Sequence, residues 1–543
     1  MKKFILIILL ITTKILSQFG SQDSGGKLIP EQKCYDVKFY DINLEIDPKE
    51  KAIAGYVIMK AKAESDFSKI VIDLDTTYSI SEIYLLNQSN EQLLNWKHIS
   101  GKIWIDFPSL IKKDENFVVK INYAGIPRVA KRPPWDDGFI WAKTKDNYDW
   151  ITLTCQGGGA DIWIPCKDHP SDEPDSASMK FTVPSNLVCI SAGKLISKLE
   201  NKNNTTTWHW FSSTPINNYN ISLYLGPYIP INYDYTSISG DKIPFTVWVL
   251  PESYEKAKVH SQQFVQHMKI NEEIVGPYPF KIDKYSVVET PHLGMEHQTA
   301  IAYGAGWKNH KDFPFDWLHH HEFSHEWWGN LVTCKDWSDF WIHEGTGTYM
   351  QPLYLEKVFG KEMYYGYLKS IKKFSNKQPV APRGEKTSSE SYNQDIYYKA
   401  AWILHTLRNY LGDETFFTIF RRWAYPTEEM EKIKNGSQCR NATTDEFLEM
   451  AEKISNKKLN WFWDVYFRNA SLPKLHYKQN DNEISFWWET ENNLPFPLPI
   501  EIKIGNETKK LEMKSGKETI LANDNNLVID PEEKVLMEII KEH

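Results

Sequence analysis

Long apolar runs and clusters of basic residues are both scarce in this chain of 543 residues. Beyond residue 17, no uninterrupted apolar stretch approaches the roughly 20 residues that a membrane-spanning helix needs. No lysine-rich or arginine-rich run occurs, and the formal net charge is −8 at pH 7. A protein of this charge presents no basic surface to attract nucleic acid. We therefore expect no nucleic-acid partner and no stable membrane insertion by the body of the chain.

Cysteine is also sparse, with six residues in the whole chain. No two of them have the Cys-x-x-Cys spacing, which argues against a zinc site built from cysteines. The number is small for a disulfide-rich scaffold of this length. If the protein is exported, disulfides are permitted, but the sequence leaves their pairing open. The six residues are Cys34, Cys155, Cys166, Cys189, Cys334 and Cys439.

The one strongly apolar segment lies at the start of the chain, in residues 1–17, MKKFILIILLITTKILS. Two lysines precede an apolar run of about ten residues, and the small residue Ser17 follows, which is typical of a secretory signal. We predict a signal peptide over 1–17 and an exported protein, periplasmic or secreted. Ile15 stands where a small residue is preferred before cleavage, so an uncleaved membrane anchor is the alternative.

Three regions of different pattern follow this segment. Alternating strand patterns such as AIAGYVIMKAKA dominate residues 27–232, helical patterns dominate 233–468, and short strands return in 469–543. The chain is long enough for several domains. We predict a multidomain α+β protein with an antiparallel N-terminal β-domain, a mixed α/β middle domain and a small C-terminal β-sandwich. Within the middle domain, Thr443 and Glu446 predict a helix cap.

A metal-binding pattern lies in the middle region. His321, Glu322 and His325 form His-Glu-x-x-His, and Glu344 follows His325 after 18 intervening residues. On a helix, positions i and i+4 share one face, so the two imidazoles can aim at one point. Catalytic zinc takes three protein ligands and keeps one open position, and two imidazoles with a carboxylate form a known set. We predict one Zn²⁺ held by the two histidines and Glu344, with Glu322 as general base for the attacking water.

A His-Glu-x-x-His string also arises by chance on ordinary helix faces. The glutamate at a fixed distance makes such a coincidence much rarer. His319 and His320 extend the string to three histidines, but neither has a histidine four residues later. We predict that these two residues flank the site and do not bind the metal.

The motif and its surroundings resemble the aminopeptidase N family of zinc metallo-aminopeptidases, peptidase family M1. The run Trp327–Thr333 is most similar to the leukotriene hydrolase branch of that family, and residues 165–168 are similar to its N-terminal domain. Thermolysin-like endopeptidases share the architecture, but their third ligand lies one residue later. The resemblance implies an N-terminal β saddle and a thermolysin-like zinc domain. The large C-terminal helical domain of longer members is expected to be absent.

The resemblance also assigns substrate-binding residues. Gly294, Met295, Glu296 and His297 match the family's Gly-x-Met-Glu-Asn motif, whose glutamate binds the α-amine of the substrate. A carboxylate at a fixed distance from the metal pairs with an ammonium group and admits only the start of a peptide. His297 replaces the family's asparagine, and Leu293 replaces its first glycine. We therefore expect altered contacts to the substrate backbone and an altered first side-chain site.

Two further residues are assigned by the resemblance. Gln156 matches a glutamine or glutamate that helps to hold the amine, and the glycines at 157–159 permit close approach of backbone to a ligand. Asp161 stands where the family often has arginine. Tyr397 matches the first residue of the Tyr-x-Lys-Gly/Ala pattern and is the predicted donor to the oxyanion, with Tyr398 as the alternative.

The sequence thus predicts a zinc-dependent aminopeptidase that acts on peptides with a free N-terminus. The presence of Glu296 and the shorter ligand spacing disfavour an endopeptidase on a thermolysin-like lobe. The expected lack of the C-terminal helical domain disfavours lipid epoxide hydrolysis. A metal-binding protein without catalysis is the alternative of another class, disfavoured because ligands, base and predicted donor occur together.

Overall fold

The structure, a computed structural model, describes residues 23–87, 90–480, 482–522 and 526–542. The predicted signal peptide, residues 1–17, lies outside these ranges. Within them, no helix combines the length and apolar character needed to cross a bilayer. All six cysteines are free thiols, five of them buried and Cys439 partly exposed.

Strands make up most of the N-terminal region, as the alternating pattern predicts. Exposed or half-buried positions alternate with buried ones along most of the strand Asn116–Gly125, so one face of the sheet covers the core. A short helix, α1 (Pro30–Lys33), precedes the strands. The strands are β1 (Tyr35–Asp47), β2 (Ala52–Ala63), β3 (Phe67–Asp73), β4 (Tyr78–Asn87), β5 (Asn90–Leu93), β6 (Asn95–Ile99), β7 (Lys102–Ile111), β8 (Asn116–Gly125), β9 (Gly138–Lys143), β10 (Asp149–Thr154), β11 (Ser176–Pro184), β12 (Val188–Ile190), β13 (Lys194–Glu200), β14 (Thr205–Ser212) and β15 (Tyr224–Gly226).

These strands form three sheets. An eight-stranded sheet has the order β13-β14-β11-β1-β2-β8-β4-β5, a four-stranded sheet the order β12-β15-β10-β9, and a three-stranded sheet the order β3-β7-β6. One pairing departs from the predicted antiparallel arrangement, because β1 and β11 run parallel. Nine strands lie between the two along the chain, and parallel neighbours need such a long crossover. The remaining pairs of the large sheet are antiparallel.

The middle region contains a mixed sheet and most of the helices. Its strands are β16 (Ile229–Thr236), β17 (Lys242–Val249), β18 (Tyr285–Glu289), β19 (Gly294–Met295), β20 (Ile301–Tyr303), β21 (Val332–Cys334) and β22 (Arg440–Ala442). Its helices are α2 (Tyr254–His260), α3 (Gln262–Val275), α4 (Trp317–Ser324), α5 (Trp341–Phe359), α6 (Lys361–Ser370), α7 (Ser388–Ser391), α8 (Tyr398–Leu411), α9 (Asp413–Ala424), α10 (Thr444–Ser455) and α11 (Asn460–Tyr466). The five-stranded sheet has the order β16-β17-β18-β20-β19.

One local prediction can be compared with these elements. The predicted cap is confirmed, since Thr443 caps α10 and Glu446 completes a capping box. Elsewhere in the middle region, helices α2 and α3 follow each other directly and are divided at Ser261. The Ser261 hydroxyl donates 2.7 Å to the carbonyl of Ala257 one turn earlier, a bond that tends to bend helices.

The C-terminal region consists of two small sheets. The strands are β23 (Lys474–Asn480), β24 (Glu483–Glu489), β25 (Ile500–Ile504), β26 (Glu507–Leu511), β27 (Lys517–Leu521), β28 (Leu527–Ile529) and β29 (Glu538–Lys541). One sheet has the order β27-β24-β23-β29 and the other β26-β25-β28. Leu475, Phe486 and Ile502 are fully buried between surrounding elements. The predicted multidomain α+β class is confirmed. The predicted boundary at 232/233 falls inside β16, and that at 468/469 falls between α11 and β23.

Candidate active site

Helix α4 carries the first part of the metal motif. It begins at Asp316, whose buried side chain accepts a hydrogen bond of 3.0 Å from the N–H of His319, as an N-cap residue does. His321 and Glu322 lie in its last turn. His325 follows the helix end directly and keeps near-helical dihedrals, φ −66° and ψ −15°. The i and i+4 geometry predicted for the two histidines is therefore retained.

The three predicted ligands form a nearly equilateral triangle. The Nε2 atoms of His321 and His325 are 3.3 Å apart, and the Glu344 Oε2 atom lies 3.4 Å from the first and 3.5 Å from the second. Ligands in a tetrahedral zinc site, each about 2.0–2.1 Å from the ion, are separated by about 3.3–3.4 Å. The spacing of this triangle thus fits one zinc ion, which His321, His325 and Glu344 would hold.

Neighbouring groups orient these ligands. His325 Nδ1 lies 2.8 Å from the carbonyl oxygen of Trp328, which fixes the ring with Nε2 toward the other ligands. Helix α5 brings Glu344 close to the two histidines because its glycines, Gly345 and Gly347, let it pack closely against α8 and against the His325 ring. A Cβ atom at Gly345 would lie 2.4 Å from the Cβ of Ala400 on α8, and one at Gly347 would lie 3.1 Å from the His325 ring.

The buried carboxylates around the three predicted ligands also indicate that a cation binds there. The carboxylates of Glu296, Glu322 and Glu344 are all buried. Burial raises the pKa of each, and repulsion from Glu296 and Glu344 raises that of Glu322 further. Burial lowers the pKa of His321 to about 4, which leaves the imidazole neutral, the form that binds a metal. Three buried carboxylates around one point need positive charge nearby, and a divalent ion supplies it.

Glu322 occupies space that a glycine provides. A Cβ atom at Gly294 would lie 2.5 Å from Glu322 Oε1 and 2.8 Å from Leu318 Cδ1. Gly294 begins β19, the edge strand of the mixed sheet, which pairs antiparallel with β20. The predicted substrate-binding glycine therefore also makes room for the predicted base.

Glu296 lies beside the metal motif and is held by three polar neighbours. Its Oε1 atom accepts hydrogen bonds from Gln156 Nε2 and, at 3.0 Å, from the hydroxyl of Tyr219. Asn330 Nδ2 donates 3.1 Å to the Glu296 backbone carbonyl. The carboxylates of Glu296 and Glu322 and the His325 nitrogen all lie within 4.8 Å of one another. The structure thus brings the two predicted amine-binding residues together next to the predicted metal site.

The remaining two members of that motif point in different directions. Met295 is 4% exposed and lines the cavity. His297 is fully buried, and its Nδ1 atom lies within hydrogen-bonding distance of the Tyr224 hydroxyl instead. Strand β19 ends at Met295, so the alternation of side chains along a strand does not fix the direction of His297. The substrate contact predicted for His297 stays a prediction.

Tyr397 lies at the start of helix α8, facing the metal motif. Its ring stacks on that of His321, with centroids 6.1 Å apart and planes 27° apart. Its hydroxyl is 3.4 Å from that of Tyr392. Burial, and next the charge of Glu344, raise the pKa of Tyr397 well above its usual value, so the hydroxyl keeps its proton. Tyr398, the alternative, lines the same cavity.

A cavity of about 1900 Å³ is lined by every predicted site residue except His297. Gln156 and Glu296, which are hydrogen-bonded to each other, give one part of the lining a polar character. The lining also includes an apolar group of residues near the start of α4, one turn before His321, and on or directly after helix α6: Phe313, Trp317, Leu318, Met363, Tyr367 and Ile371.

His319 and His320 do not line this cavity and are fully buried. The His319 ring stacks on Phe264 with centroids 3.6 Å apart, and its Nε2 atom is 2.6 Å from the Tyr285 hydroxyl. Both residues are packing residues next to the motif, as predicted.

Several residues of the site were not found from the sequence. Tyr219 and Asn330 hold Glu296, and Tyr392 lies beside Tyr397. Asn220 Nδ2 in turn donates 2.6 Å to Asn330 Oδ1 from the N-terminal domain. These contacts join segments that are far apart in the chain, so no local spacing signals them. Only Asn330, which lies within the Trp327–Thr333 run, had a sequence feature to draw attention to it.

Comparison with known proteins agrees with this geometry. Residues 37–219 match the Peptidase M1 N-terminal domain, and residues 310–466 match the Peptidase family M1 domain. Leucine aminopeptidase 2 of Lodderomyces elongisporus is 26% identical over 60% of this chain and 48% of that protein. Leukotriene A-4 hydrolase of Xenopus laevis is 22% identical over 63% of this chain and 54% of that protein.

A further relative is named as a transcription factor subunit and not as a peptidase. Transcription initiation factor TFIID subunit 2 of Drosophila melanogaster is 19% identical over 69% of this chain and 35% of that protein. The chain therefore spans about half, or less, of the length of these curated relatives. Because such different proteins match, the site residues have to carry the assignment of an activity.

Solved structures show the same fold. The M1 zinc metallopeptidase of Deinococcus radiodurans has a TM-score of 0.66 and 20% identity, covering 81% of this chain and 94% of that one. A variant of it bound to a Tyr-Ser-Ala substrate has a TM-score of 0.67 and 21% identity, covering 83% and 98%. The two domain matches together span well over half of the chain, and we conclude that it belongs to peptidase family M1.

Proposed function

We propose that the protein is a zinc-dependent aminopeptidase that removes N-terminal residues from peptides. The observation that carries this proposal is the position of Glu296, whose carboxylate lies within 4.8 Å of both the base and a metal ligand. An ammonium group paired with Glu296 leaves room for little more than one residue before the predicted metal site. The site therefore favours cleavage of the first peptide bond over internal ones.

His321, His325 and Glu344 would hold the zinc ion, which would supply Lewis acidity to lower the pKa of water and polarise a peptide carbonyl. Glu322 accepts the proton of the attacking water as its oxygen adds to the carbonyl carbon. The same carboxyl then delivers that proton to the departing amine nitrogen as the C–N bond breaks. Tyr397 donates its hydroxyl proton in a hydrogen bond to the oxyanion that develops on the substrate.

The residues that line the cavity favour one direction for the peptide. Its α-amine pairs with Glu296, beside Gln156. The remainder of the peptide extends past the metal site along the apolar part of the lining, which includes Trp317 and Phe313. An uncharged side chain following the scissile bond suits that part best.

Fluorogenic peptides with matched free and acetylated N-termini test the proposed function. We expect release only from free N-termini, abolished by a zinc chelator and restored by added zinc. Cleavage of acetylated peptides at internal bonds would instead favour the endopeptidase alternative. Zinc binding without cleavage of any peptide would favour a binding protein.

Substitution of Glu296 by alanine tests amine recognition separately. We expect KM for free-amine peptides to rise roughly ten- to a hundredfold, because one hydrogen bond to a charged group is worth about 1.5–3 kcal/mol. Acetylated peptides, which the parent enzyme is expected to leave intact, should stay uncleaved by the variant. Glu296→Gln, which keeps the shape and removes the charge, serves as the matched variant. A parental KM in both variants would show that another group holds the amine.

Export remains a separate proposal that rests on residues 1–17 alone. Two lysines followed by an apolar run support a cleaved signal and a periplasmic or secreted enzyme.

A further inference from the structure

The described part of the chain begins with a short segment that crosses between the N-terminal and catalytic domains. We call residues Asp23–Gly26 the strap. The N–H of Ser24 donates 3.0 Å to the carbonyl of Gly157, and the carbonyl of Ser24 accepts 3.0 Å from the N–H of Ser388. Gly26 N–H donates 3.0 Å to the carbonyl of Lys386. The strap thus links the loop that follows Gln156 to helix α7.

The strap is closely fitted at this place. Gly25 has φ +81°, and a Cβ atom there would lie 2.4 Å from Trp337 Cδ1. Trp337 Nε1 donates 3.2 Å to Ser24 Oγ. The carboxylate of Asp23, which lines the cavity, accepts 2.6 Å from Ser388 Oγ and 3.0 Å from the N–H of Ser389. Backbone and side chains therefore both anchor the strap to the catalytic domain.

The peptide unit between Gly157 and Gly158 is held from two sides. The carbonyl of Gly157 accepts from the strap, and it also lies within hydrogen-bonding distance of Ser388 Oγ, whose single proton is shared between this carbonyl and the Asp23 carboxylate. On the other side, the N–H of Gly158 donates to Asp137 Oδ2. Burial raises the pKa of Asp137 to about 6, opposed by the N–H groups of Gly158 and Gly157. A Cβ atom at Gly157 would lie only 3.0 Å from that carboxylate, so the loop has little freedom to shift.

We propose that Ser388, together with Asp23 of the strap, is a positioning residue for amine recognition. It fixes the backbone at Gly157 and thereby holds the Gln156 side chain against Glu296. Neither residue of the pair touches the reacting atoms. This proposal rests on the proposed aminopeptidase function, because it concerns the site that binds the α-amine.

Binding of an uncleaved peptide tests the proposal without relying on turnover. In a Glu322→Gln background loaded with zinc, isothermal titration measures Kd for the tripeptide Ala-Phe-Ala and for its acetylated form. Adding Ser388→Ala should raise Kd for the free-amine peptide roughly three- to tenfold, the effect of losing one hydrogen bond, and leave the acetylated peptide unchanged. Ser388→Thr, which keeps the hydroxyl, should restore most of the affinity.

Glu390→Ala is the matched control. Glu390 completes the capping box of α7 with Thr387 but makes no hydrogen bond to Gly157, so we expect parental Kd values. If Ser388→Ala does not fold, Asp23→Ala is tested instead. That variant lacks the carboxylate to which Ser388 and Ser389 donate hydrogen bonds.

Three outcomes would overturn the proposal. Parental binding of the free-amine peptide by the folded Ser388 or Asp23 variant would show that the strap does not position Gln156. Equal weakening for free and acetylated peptides would show general loosening of the cavity. If the Glu322→Gln protein itself does not distinguish the two peptides, amine recognition is absent and the proposed function fails together with the strap.

Discussion

Replacing Glu322 by glutamine is expected to reduce kcat by about a thousandfold while the protein still binds one zinc ion. General acid–base catalysis contributes roughly 10²–10⁴ to enzymatic rates, and glutamine cannot accept the proton of water. The side chain is 7% exposed and fits the space that Gly294 leaves, so an isosteric replacement should keep the local packing. Steady-state rates with a free-amine fluorogenic peptide and zinc content by elemental analysis check this expectation.

Glu326 offers a matched control for that substitution. It lies one turn later, is fully buried, and accepts 2.8 Å from the N–H of Thr299 away from the cavity. Glu326→Gln should affect stability more than kcat for a free-amine peptide. A Glu322→Gln enzyme with the parental rate would remove Glu322 from the role of base.

The metal motif could be predicted because its geometry is local. His321 and His325 are one helical turn apart, so the sequence alone places them on one face, and the structure has their Nε2 atoms 3.3 Å apart. Glu344 is further along the chain, and its fixed spacing of 18 intervening residues after His325 is what marked it in the sequence. The cap at Thr443 is local in the same way, because its partner Glu446 is three residues away.

The amine-binding part of the site could not be predicted from the spacing of residues along the chain. Gln156 and Glu296 are 140 positions apart, and their contact depends on how two domains pack. The family resemblance placed both residues near the amine, but nothing in it pointed to Tyr219, which donates to the same carboxylate oxygen. The strap is a still clearer case, since Asp23 and Ser388 are 365 positions apart and neither lies in a recognisable motif.

His297 shows a different limit of the sequence. Its place in the motif predicted altered contacts to the substrate backbone, and the structure places its ring in the interior beside Tyr224. Burial lowers the pKa of His297 to about 3, so the ring is neutral. A motif gives the order of residues, while the direction of each side chain depends on the backbone that carries it.

Replacing Tyr397 by phenylalanine is expected to reduce kcat by roughly 10²–10³, the effect of removing one donor to an oxyanion. KM should change little, because the hydrogen bond strengthens only as charge develops on the substrate. The ring itself stays, so its stacking on His321 is preserved. Initial rates over a range of concentrations of a free-amine fluorogenic peptide separate the two parameters.

Tyr398 provides the internal control for that variant, since it is the next residue and lines the same cavity. Tyr398→Phe should retain kcat within a few-fold if Tyr397 is the donor. The reverse result, with a large loss in Tyr398→Phe and a parental rate in Tyr397→Phe, would transfer the role to Tyr398. A transition-state analogue gives a second readout, because the donor's hydroxyl should contribute to its affinity far more than to that of a substrate. Only the tyrosine whose loss weakens both kcat and analogue binding can be the group that stabilises the oxyanion.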